Sequence, residues 1–343
     1  MSKVKNLNSI PVNGLRGKLA DDIPLLTPYK IDIFPIYACN FKCSYCIHSM
    51  PEIIRGGNIC TNKMLFLDLL KKFVEDAKHF EDKIRAIHFA GYGEPLLHPD
   101  IAHMVKLITD GGIADVVDIV TNGSLLNTKL STELLNSGLD KLRISLQGLD
   151  SDAYKRVSDI NLDFEKFKNN IREFKEMRDR GNYSTQIYIK ILDSVLDRHS
   201  EKDFYEMFSP LCDYIAVEHL APLVNEIQYE DIFDKKEFTT NVKGNKIDEL
   251  KVCPWPFYST MINPDGDVLP CCNYYKPIIL GNIRNESIVD IWNSQCLKDF
   301  QKQQLLYQRN LNSVCRNCNN IKYLSFPEDN LDGDTGKILN KLM

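Results

Sequence analysis

No apolar run in this sequence approaches the roughly 18–20 residues that a membrane-spanning helix needs. The opening stretch, MSKVKNLNSIPVNGLRGKLADDIP, is polar and lacks the continuous apolar core of a secretion signal. An excess of one charge is missing too. The formal net charge of −5 over 343 residues gives no electrostatic reason to expect nucleic acid or an anionic membrane as partner. There is no internal repeat and no low-complexity tract. These absences leave a globular protein expected in the cytoplasm. Its apolar content of 43% and charged content of 26% are ordinary for that class. The length suits one large domain, or one domain with a small appendage.

Cysteine, in contrast, is abundant. Disulfides are rare in a reducing compartment, so eleven cysteines there point to metal binding or chemistry. Seven fall into two groups: Cys39, Cys43 and Cys46, then Cys253, Cys271, Cys315 and Cys318. Cys60, Cys212, Cys272 and Cys296 follow no ligand spacing of their own and read as small packed thiols.

From residue 30 to about 220, β-rich runs alternate with amphipathic helical stretches. The expected strands are 30–37, 84–91, 116–123, 141–148, 185–192 and 213–220. Between them NKMLFLDLLKKFVEDAKHF and DFEKFKNNIREFKEMRDR repeat apolar residues at three and four, the helical period. This alternation implies right-handed βαβ units and a parallel sheet. Six units are too few for a closed eight-stranded barrel. The fold class expected is α/β; the motifs and the resemblance described below favour a partial (β/α)6 TIM-like barrel over a flat sheet, and make the small C-terminal domain an iron–sulfur one. The divisions expected are an N-terminal extension (1–29), the barrel (30–222), a linker or lid (223–250), the auxiliary domain (251–320) and a tail (321–343). In the auxiliary domain, NPDG between two β-like runs signals a hairpin that returns Cys271 toward Cys253. SIVDIWNSQCLKDFQKQQL reads as one helix with Ser287 as its cap.

Four successive strands end in a chemically loaded turn. The cysteines follow the first, GYGEP the second, TNG the third and SLQG the fourth. In parallel α/β architectures the site forms where those loops converge. A structural zinc site wants four ligands, usually as two CxxC pairs. Cys39-x3-Cys43-x2-Cys46 offers three thiolates on one loop, which suits a cubane iron–sulfur cluster with one iron left open.

C-x3-C-x2-C directly after a first strand, with an aromatic residue (Tyr45) before the last cysteine, resembles the signature of the radical S-adenosylmethionine (SAM) superfamily. The resemblance covers about residues 30–220. It implies a 4Fe–4S cluster on Cys39, Cys43 and Cys46 whose open iron is chelated by SAM. Reductive cleavage of SAM then gives a 5′-deoxyadenosyl radical that takes a hydrogen atom from the substrate. Gly91-Tyr92-Gly93-Glu94-Pro95 resembles the family's GGEP motif, with Tyr92 in place of its second glycine. A glycine-rich turn lets backbone groups come close to a ligand. Thr121 and Asn122 resemble the strand end that meets ribose. Ser145 and Gln147 stand where ribose or the methionyl carboxylate is met, and Arg143 shares the strand face of Ser145.

The second group supplies four thiolates and no open position, which by spacing alone suits zinc or a second cluster. Cys253-x12-Gly266-x4-Cys271 resembles the opening of the SPASM domain, and the chain looks like its shortened twitch form with one auxiliary 4Fe–4S cluster. The architecture resembles that of the 2-deoxy-scyllo-inosamine dehydrogenases. This implies oxidation of an alcohol on a sugar- or aminocyclitol-type small molecule, with the auxiliary cluster accepting an electron and a flavodoxin or ferredoxin supplying one. Only about thirty residues precede the first strand, fewer than the leader-binding domain of peptide-modifying relatives. A radical epimerase using a cysteine hydrogen donor, a peptide-modifying enzyme and a metal-binding regulatory protein are the alternatives. Lys190, Glu218 and His219 lie at the ends of the fifth and sixth strands. Of these, Lys190 and Glu218 are the candidate bases for a substrate proton.

Overall fold

The computed structural model describes residues 5–6, 17–51, 63–196, 198–233 and 238–342. Among the described residues ten strands form one sheet: β1 (Lys5–Asn6), β2 (Lys30–Ile33), β3 (Ala86–Phe89), β4 (Val117–Thr121), β5 (Lys141–Leu146), β6 (Gln186–Leu192), β7 (Tyr214–Glu218), β8 (Ser259–Ile262), β9 (Asp267–Leu269) and β10 (Gly281–Asn282). Their order is β1-β7-β6-β5-β4-β3-β2-β8-β9-β10. The six strands read from sequence, β2 to β7, are all present, adjacent and parallel. The open partial barrel is therefore as expected. Two features extend it. β1 pairs parallel with β7, and β8 of the C-terminal region pairs parallel with β2, Lys30 opposite Ser259. The barrel and the auxiliary hairpin thus share one hydrogen-bonded sheet.

Strand periodicity of two sends alternate side chains to opposite faces. On the outer face Ile31, Ile33, Phe89, Ile119, Leu142, Ile144, Ile189 and Val217 form one apolar core with the helices. The helices Leu67–Ala77 and Phe164–Arg180 sit where the period predicts them and bury Phe73, Val74, Phe167, Ile171 and Phe174. Full burial of each such side chain stabilises by about 1.5–3 kcal/mol. The opposite face carries Asp32, His88, Asp118, Arg143, Tyr188, Lys190 and Glu218, so the barrel interior is polar.

The hairpin β8–β9 closes through Asn263–Gly266, with Gly266 N–H donating to the Asn263 carbonyl at 2.8 Å. The segment expected as one helix over 287–305 is two, Ile288–Trp292 and Gln295–Leu305. Ser294 causes the break, because its hydroxyl accepts from Leu297 N–H and caps a second helix. Ser287 caps the first as expected, accepting from Val289 N–H. Residues 321–342 do not trail away. Leu331 and Ile338 join Leu19, Ala20 and Ile23 from the N-terminal stretch in a second core with Val252, Trp255 and Phe257. Among the described residues, no helix is long and apolar enough to cross a membrane.

Candidate active site

The loop after β2 is fixed before any ligand is considered. Ser44 N–H donates to the Val157 carbonyl at 2.7 Å and Lys42 N–H to the Ser158 carbonyl at 3.0 Å. Those carbonyls end the helix Ser151–Ser158, whose last turn needs outside donors. Cys43 Sγ lies 3.2 Å from Ser158 Oγ, and Cys46 N–H closes a tight turn on the Cys43 carbonyl at 2.8 Å. Burial pushes the Cys39 thiol up to about 12, and it also raises Cys43 and Cys46. Neighbouring thiols act on Cys39 and Cys43 in the same direction. Thiols raised in this way become thiolates readily only around a cationic centre. This donor set fits an iron–sulfur cluster. Among the described residues no three His, Cys, Asp or Glu side chains close around a point ion. A cubane is met at its corners and does not require them to.

The GYGEP loop is held against the cysteine loop by backbone contact. Glu94 N–H donates to the Ala38 carbonyl at 2.9 Å. A Cβ on Gly93 would fall 2.0 Å from the Ile36 carbonyl oxygen, so only glycine fits. Glu94 is buried and its carboxylate is fully used. Oε1 accepts from Leu96 N–H at 2.9 Å and from the Thr121 hydroxyl at 2.5 Å, while Oε2 accepts from Asn122 N–H at 2.7 Å. The Asn122 side chain donates to Asn40 Oδ1 at 2.9 Å, and Asn40 to Ser124 Oγ at 2.9 Å. The Tyr45 hydroxyl donates to Gln147 Oε1. Gln147 in turn donates to the Ser145 carbonyl at 3.2 Å. The structure therefore gathers Cys39, Cys43, Cys46, Tyr45, Gly91, Tyr92, Gly93, Glu94, Thr121, Asn122, Ser145 and Gln147 around one end of the barrel.

Deeper in the interior lies a charged network. Asp118 faces His88 Nδ1 at 2.6 Å and Arg143 at 3.6 Å. The Arg143 guanidinium stands 5.5 Å from the Tyr188 ring centre. Lys190 and Glu218 do meet: Lys190 Nζ is 2.6 Å from one Glu218 oxygen. Lys243 Nζ, which sequence reasoning missed, is 2.6 Å from the other. Burial works to raise the Glu218 carboxyl, but Lys190 and Lys243 outweigh it and hold it well below the usual range. Burial lowers Lys190 despite its carboxylate partner. Lys243 comes from the segment read as linker or lid. A turn places it there: Gly244 N–H donates to the Asn241 carbonyl at 2.9 Å, and Val242 N–H to the Tyr323 carbonyl at 3.1 Å. His219 pairs instead with Asp193 at 3.1 Å.

Cys253, Cys271, Cys315 and Cys318 form a second set, with Cys315 buried and the other three half-buried. Burial raises the first three, Cys315 to about 11, and the charges of other members of the set add to it. Asn273 Nδ2 donates to Cys318 Sγ at 3.1 Å. Four cysteines with no open position among them fit a fully ligated centre. Tyr92 stands between the two sets. Its phenol is held protonated by burial, then by Cys272, Cys46 and Cys318, and its ring packs edge-on against Phe34 and Tyr274. Of the four unassigned cysteines, Cys272 packs with Tyr92, Phe34, Met261 and Leu269. Cys212 donates to the Phe208 carbonyl at 3.3 Å in the outer layer. Cys296 stands beside Asp299 and Glu286, and Cys60 lies outside the described residues. A cavity of about 550 Å³ opens between Tyr229 and Phe238 on one side and Asn319 and Tyr323 on the other. The Tyr229 hydroxyl donates to the Tyr45 carbonyl at 3.0 Å, which ties that wall to the cysteine loop.

Residues 33–203 match the family model of the radical SAM superfamily. Residues 253–319 match that of the SPASM iron–sulfur cluster-binding domain. The chain belongs to the radical SAM superfamily. Its cofactors are SAM and two 4Fe–4S clusters. This radical SAM protein is similar to the tungsten-containing aldehyde ferredoxin oxidoreductase cofactor-modifying protein of Pyrococcus furiosus, 27% identical over 297 residues, 75% of this chain and 78% of that one. Among solved structures it is similar to BtrN in complex with AdoMet and 2-DOIA. The TM-score is 0.52 at 19% identity, over 87% of this chain and 95% of that one. Streptococcus suis SuiB bound to precursor peptide SuiA gives a TM-score of 0.60 at 16% identity, over 83% of this chain and 69% of that one. These structural likenesses show a shared fold.

Proposed function

We propose that this radical SAM protein is an oxidoreductase that oxidises an alcohol on a sugar- or aminocyclitol-type small molecule. When bound, the cofactors supply a hydrogen-abstracting 5′-deoxyadenosyl radical and an electron acceptor. Cys39, Cys43 and Cys46 hold the SAM-binding cluster, and Cys253, Cys271, Cys315 and Cys318 hold the auxiliary one. The backbone of Gly91–Gly93 borders the methionyl end of SAM. Thr121, Asn122, Ser145 and Gln147 border its ribose, and Arg143 faces its carboxylate. Glu94 and Tyr45 position these groups through the hydrogen bonds already described. Lys190 and Glu218 line the substrate side, where a hydroxyl proton must leave for the alcohol to become a carbonyl.

The observation that carries this reading is the four-thiol set standing across Tyr92 from the three-thiol loop. A centre with every ligand position filled by the protein is suited to accept an electron. That BtrN was solved with AdoMet and 2-DOIA supports a small molecule, whereas SuiB with its precursor peptide supports a peptide as the alternative substrate. A flavodoxin or ferredoxin supplies the reducing electron. A second reading, radical epimerisation, is favoured by the position of Cys272 beside Tyr92, where a thiol would return a hydrogen atom to the substrate.

The test is anaerobic reconstitution with iron and sulfide, followed by SAM and dithionite. About eight irons per chain are expected, and about four in the triple alanine variant of Cys39, Cys43 and Cys46, with 5′-deoxyadenosine formed only by wild type. A panel of sugar alcohols is then screened for a carbonyl product. About four irons in wild type with zinc at the C-terminal cysteines would remove the electron acceptor and sink the dehydrogenase reading.

A further inference from the structure

The charges around Glu218 do not balance. Lys30 is matched by Asp32 at 2.8 Å. Asp118 is shared, with His88 at 2.6 Å and Arg143 at 3.6 Å. Lys190 and Lys243, however, have one carboxylate between them. Glu218 gives one oxygen to each at 2.6 Å and a third contact, 3.3 Å, to the Tyr188 hydroxyl. Two cations therefore face one carboxylate, and the surplus sits on two lysines that are mostly screened from water. An uncompensated ammonium is costly to bury, and in such a setting it pairs strongly with an added anion. Arg143 is spoken for if it faces the carboxylate of SAM. The surplus at Lys190 and Lys243 remains.

The second lysine is also the one whose backbone does not belong to the barrel. Lys243 sits on the segment 241–244, fastened on one side to the end of β7 by His219 N–H to the Val242 carbonyl at 3.0 Å. On the other side Val242 N–H bonds the Tyr323 carbonyl of the auxiliary region at 3.1 Å. A group bound by both lysines would thus be gripped from the barrel wall and from the segment that joins the two cysteine sets.

We infer that Lys190 and Lys243 form a subsite for an anionic group of the substrate, a phosphate ester or a carboxylate, which competes with Glu218 for the two ammonium groups. Resting on the proposed small-molecule chemistry, this narrows the substrate from a sugar or aminocyclitol at large to a phosphorylated or acidic sugar. A cationic aminocyclitol would meet two like charges there.

The test is calorimetric and needs no turnover. Reconstituted, SAM-loaded protein is titrated with glucose 6-phosphate, gluconate, glucose and glucosamine. At least one of the two anions is expected to bind, and which one separates phosphate from carboxylate. Glucose and glucosamine are expected to bind at least tenfold more weakly. Lys243→Gln should weaken the anion about tenfold, the loss of one charge-assisted contact, and Lys243→Arg should retain it. Glu218→Gln should tighten it, because the internal competitor is gone. That gain is an effect a merely structural role for Glu218 would not produce. Equal affinity for glucose and the anions, no binding of either anion, or weaker binding in Glu218→Gln would overturn the subsite. Failure of sugar oxidation alone would touch only the reaction proposed above, since the titration reads affinity.

Discussion

Glu94 accepts the backbone N–H of Asn122 at 2.7 Å, so the GYGEP loop and the TNG turn, 28 residues apart, are one structural unit. The same carboxylate takes Leu96 N–H and the Thr121 hydroxyl. Glu94→Ala would strand two buried backbone donors, each costing about 1–3 kcal/mol. We expect a loss of at least about 2 kcal/mol in urea denaturation, with SAM affinity falling at the same time. An unchanged midpoint would mean that water replaces the carboxylate without penalty.

The pH dependence of that unit has a definite sign. Burial, outweighing its three donors, pushes the Glu94 carboxyl up from 4.5 to about 7. A carboxyl whose folded value is raised binds its proton more tightly when folded. Its contribution is fully present below about pH 4.5 and is lost as pH rises toward 7. Each pH unit of such a shift is worth about 1.4 kcal/mol, so the loss is roughly 3 kcal/mol at most. The difference in stability between wild type and Glu94→Gln should therefore fall from pH 5 to 7 and level off above. A flat difference would show that the donors hold Glu94 ionised throughout.

Glu218 has the opposite sign. Lys190 and Lys243 hold its carboxyl well below the usual range, so its contribution is present above the ordinary value of 4.5 and is lost as pH falls below it. Glu218→Gln removes the carboxylate from between two half-buried ammonium groups. We expect destabilisation of about 3 kcal/mol near neutrality, as for breaking a buried pair, and a smaller acid-side loss than in wild type. Denaturation curves at pH 4 and 7.5 check both, and equal acid sensitivity in the two proteins would refute the coupling.

Gly93 makes a sharper claim about the cysteine loop. A methyl group there would meet backbone, the Ile36 carbonyl oxygen at 2.0 Å, rather than a side chain able to swing away. Gly93→Ala must therefore displace the loop that leads into Cys39. Reconstituted Gly93→Ala is expected to carry about four irons instead of about eight, the auxiliary set remaining filled. A full complement of iron with unimpaired SAM cleavage would show that the loop absorbs the shift.

The contrast between what could and could not be read in the sequence follows from range. β2 to β7 were legible because each is a run of branched apolar residues closed by a turn, a local signal. The cysteine loop, GYGEP, TNG and SLQG were legible as a site because parallel topology puts successive strand ends together whatever their contacts. Lys243 was not, because its segment has weak periodicity and is placed by Tyr323, 81 residues beyond Val242. The pairing of β8 with β2 was hidden for the same reason, as was the burial of Leu331 and Ile338 with Ala20. The break at Ser294 was a local signal overruled by apolar periodicity, since a serine followed by QCL can cap a new helix as readily as continue an old one.

Tyr92 is where this chain departs from the glycine pair of its family motif, and its ring has a structural consequence that a glycine could not have. It packs against Phe34 of the barrel at 5.9 Å and Tyr274 of the auxiliary region at 5.7 Å, both edge-on. Tyr274 N–H also donates to its hydroxyl oxygen. Aromatic pairs of this geometry contribute about 0.5–1.5 kcal/mol each beyond the area they bury. Tyr92→Phe keeps both ring contacts and loses one hydrogen bond, so it should cost about 1 kcal/mol and leave iron content unchanged. Tyr92→Gly restores the family's glycine pair but empties a ring-sized space between the two cysteine sets. Removing a fully buried aromatic costs about 3–5 kcal/mol, and Tyr92 is half-buried, so its loss should cost less than that. The expected signature is selective. In Tyr92→Gly, hydrogen exchange should rise at 271–275 while the amides of β4 and β5 keep their protection, because the ring braces the auxiliary region and not the barrel core. Uniform loss of protection would instead make Tyr92 an ordinary core residue, and no change at 271–275 would mean that the shared sheet through β8 alone holds the two cysteine sets in register.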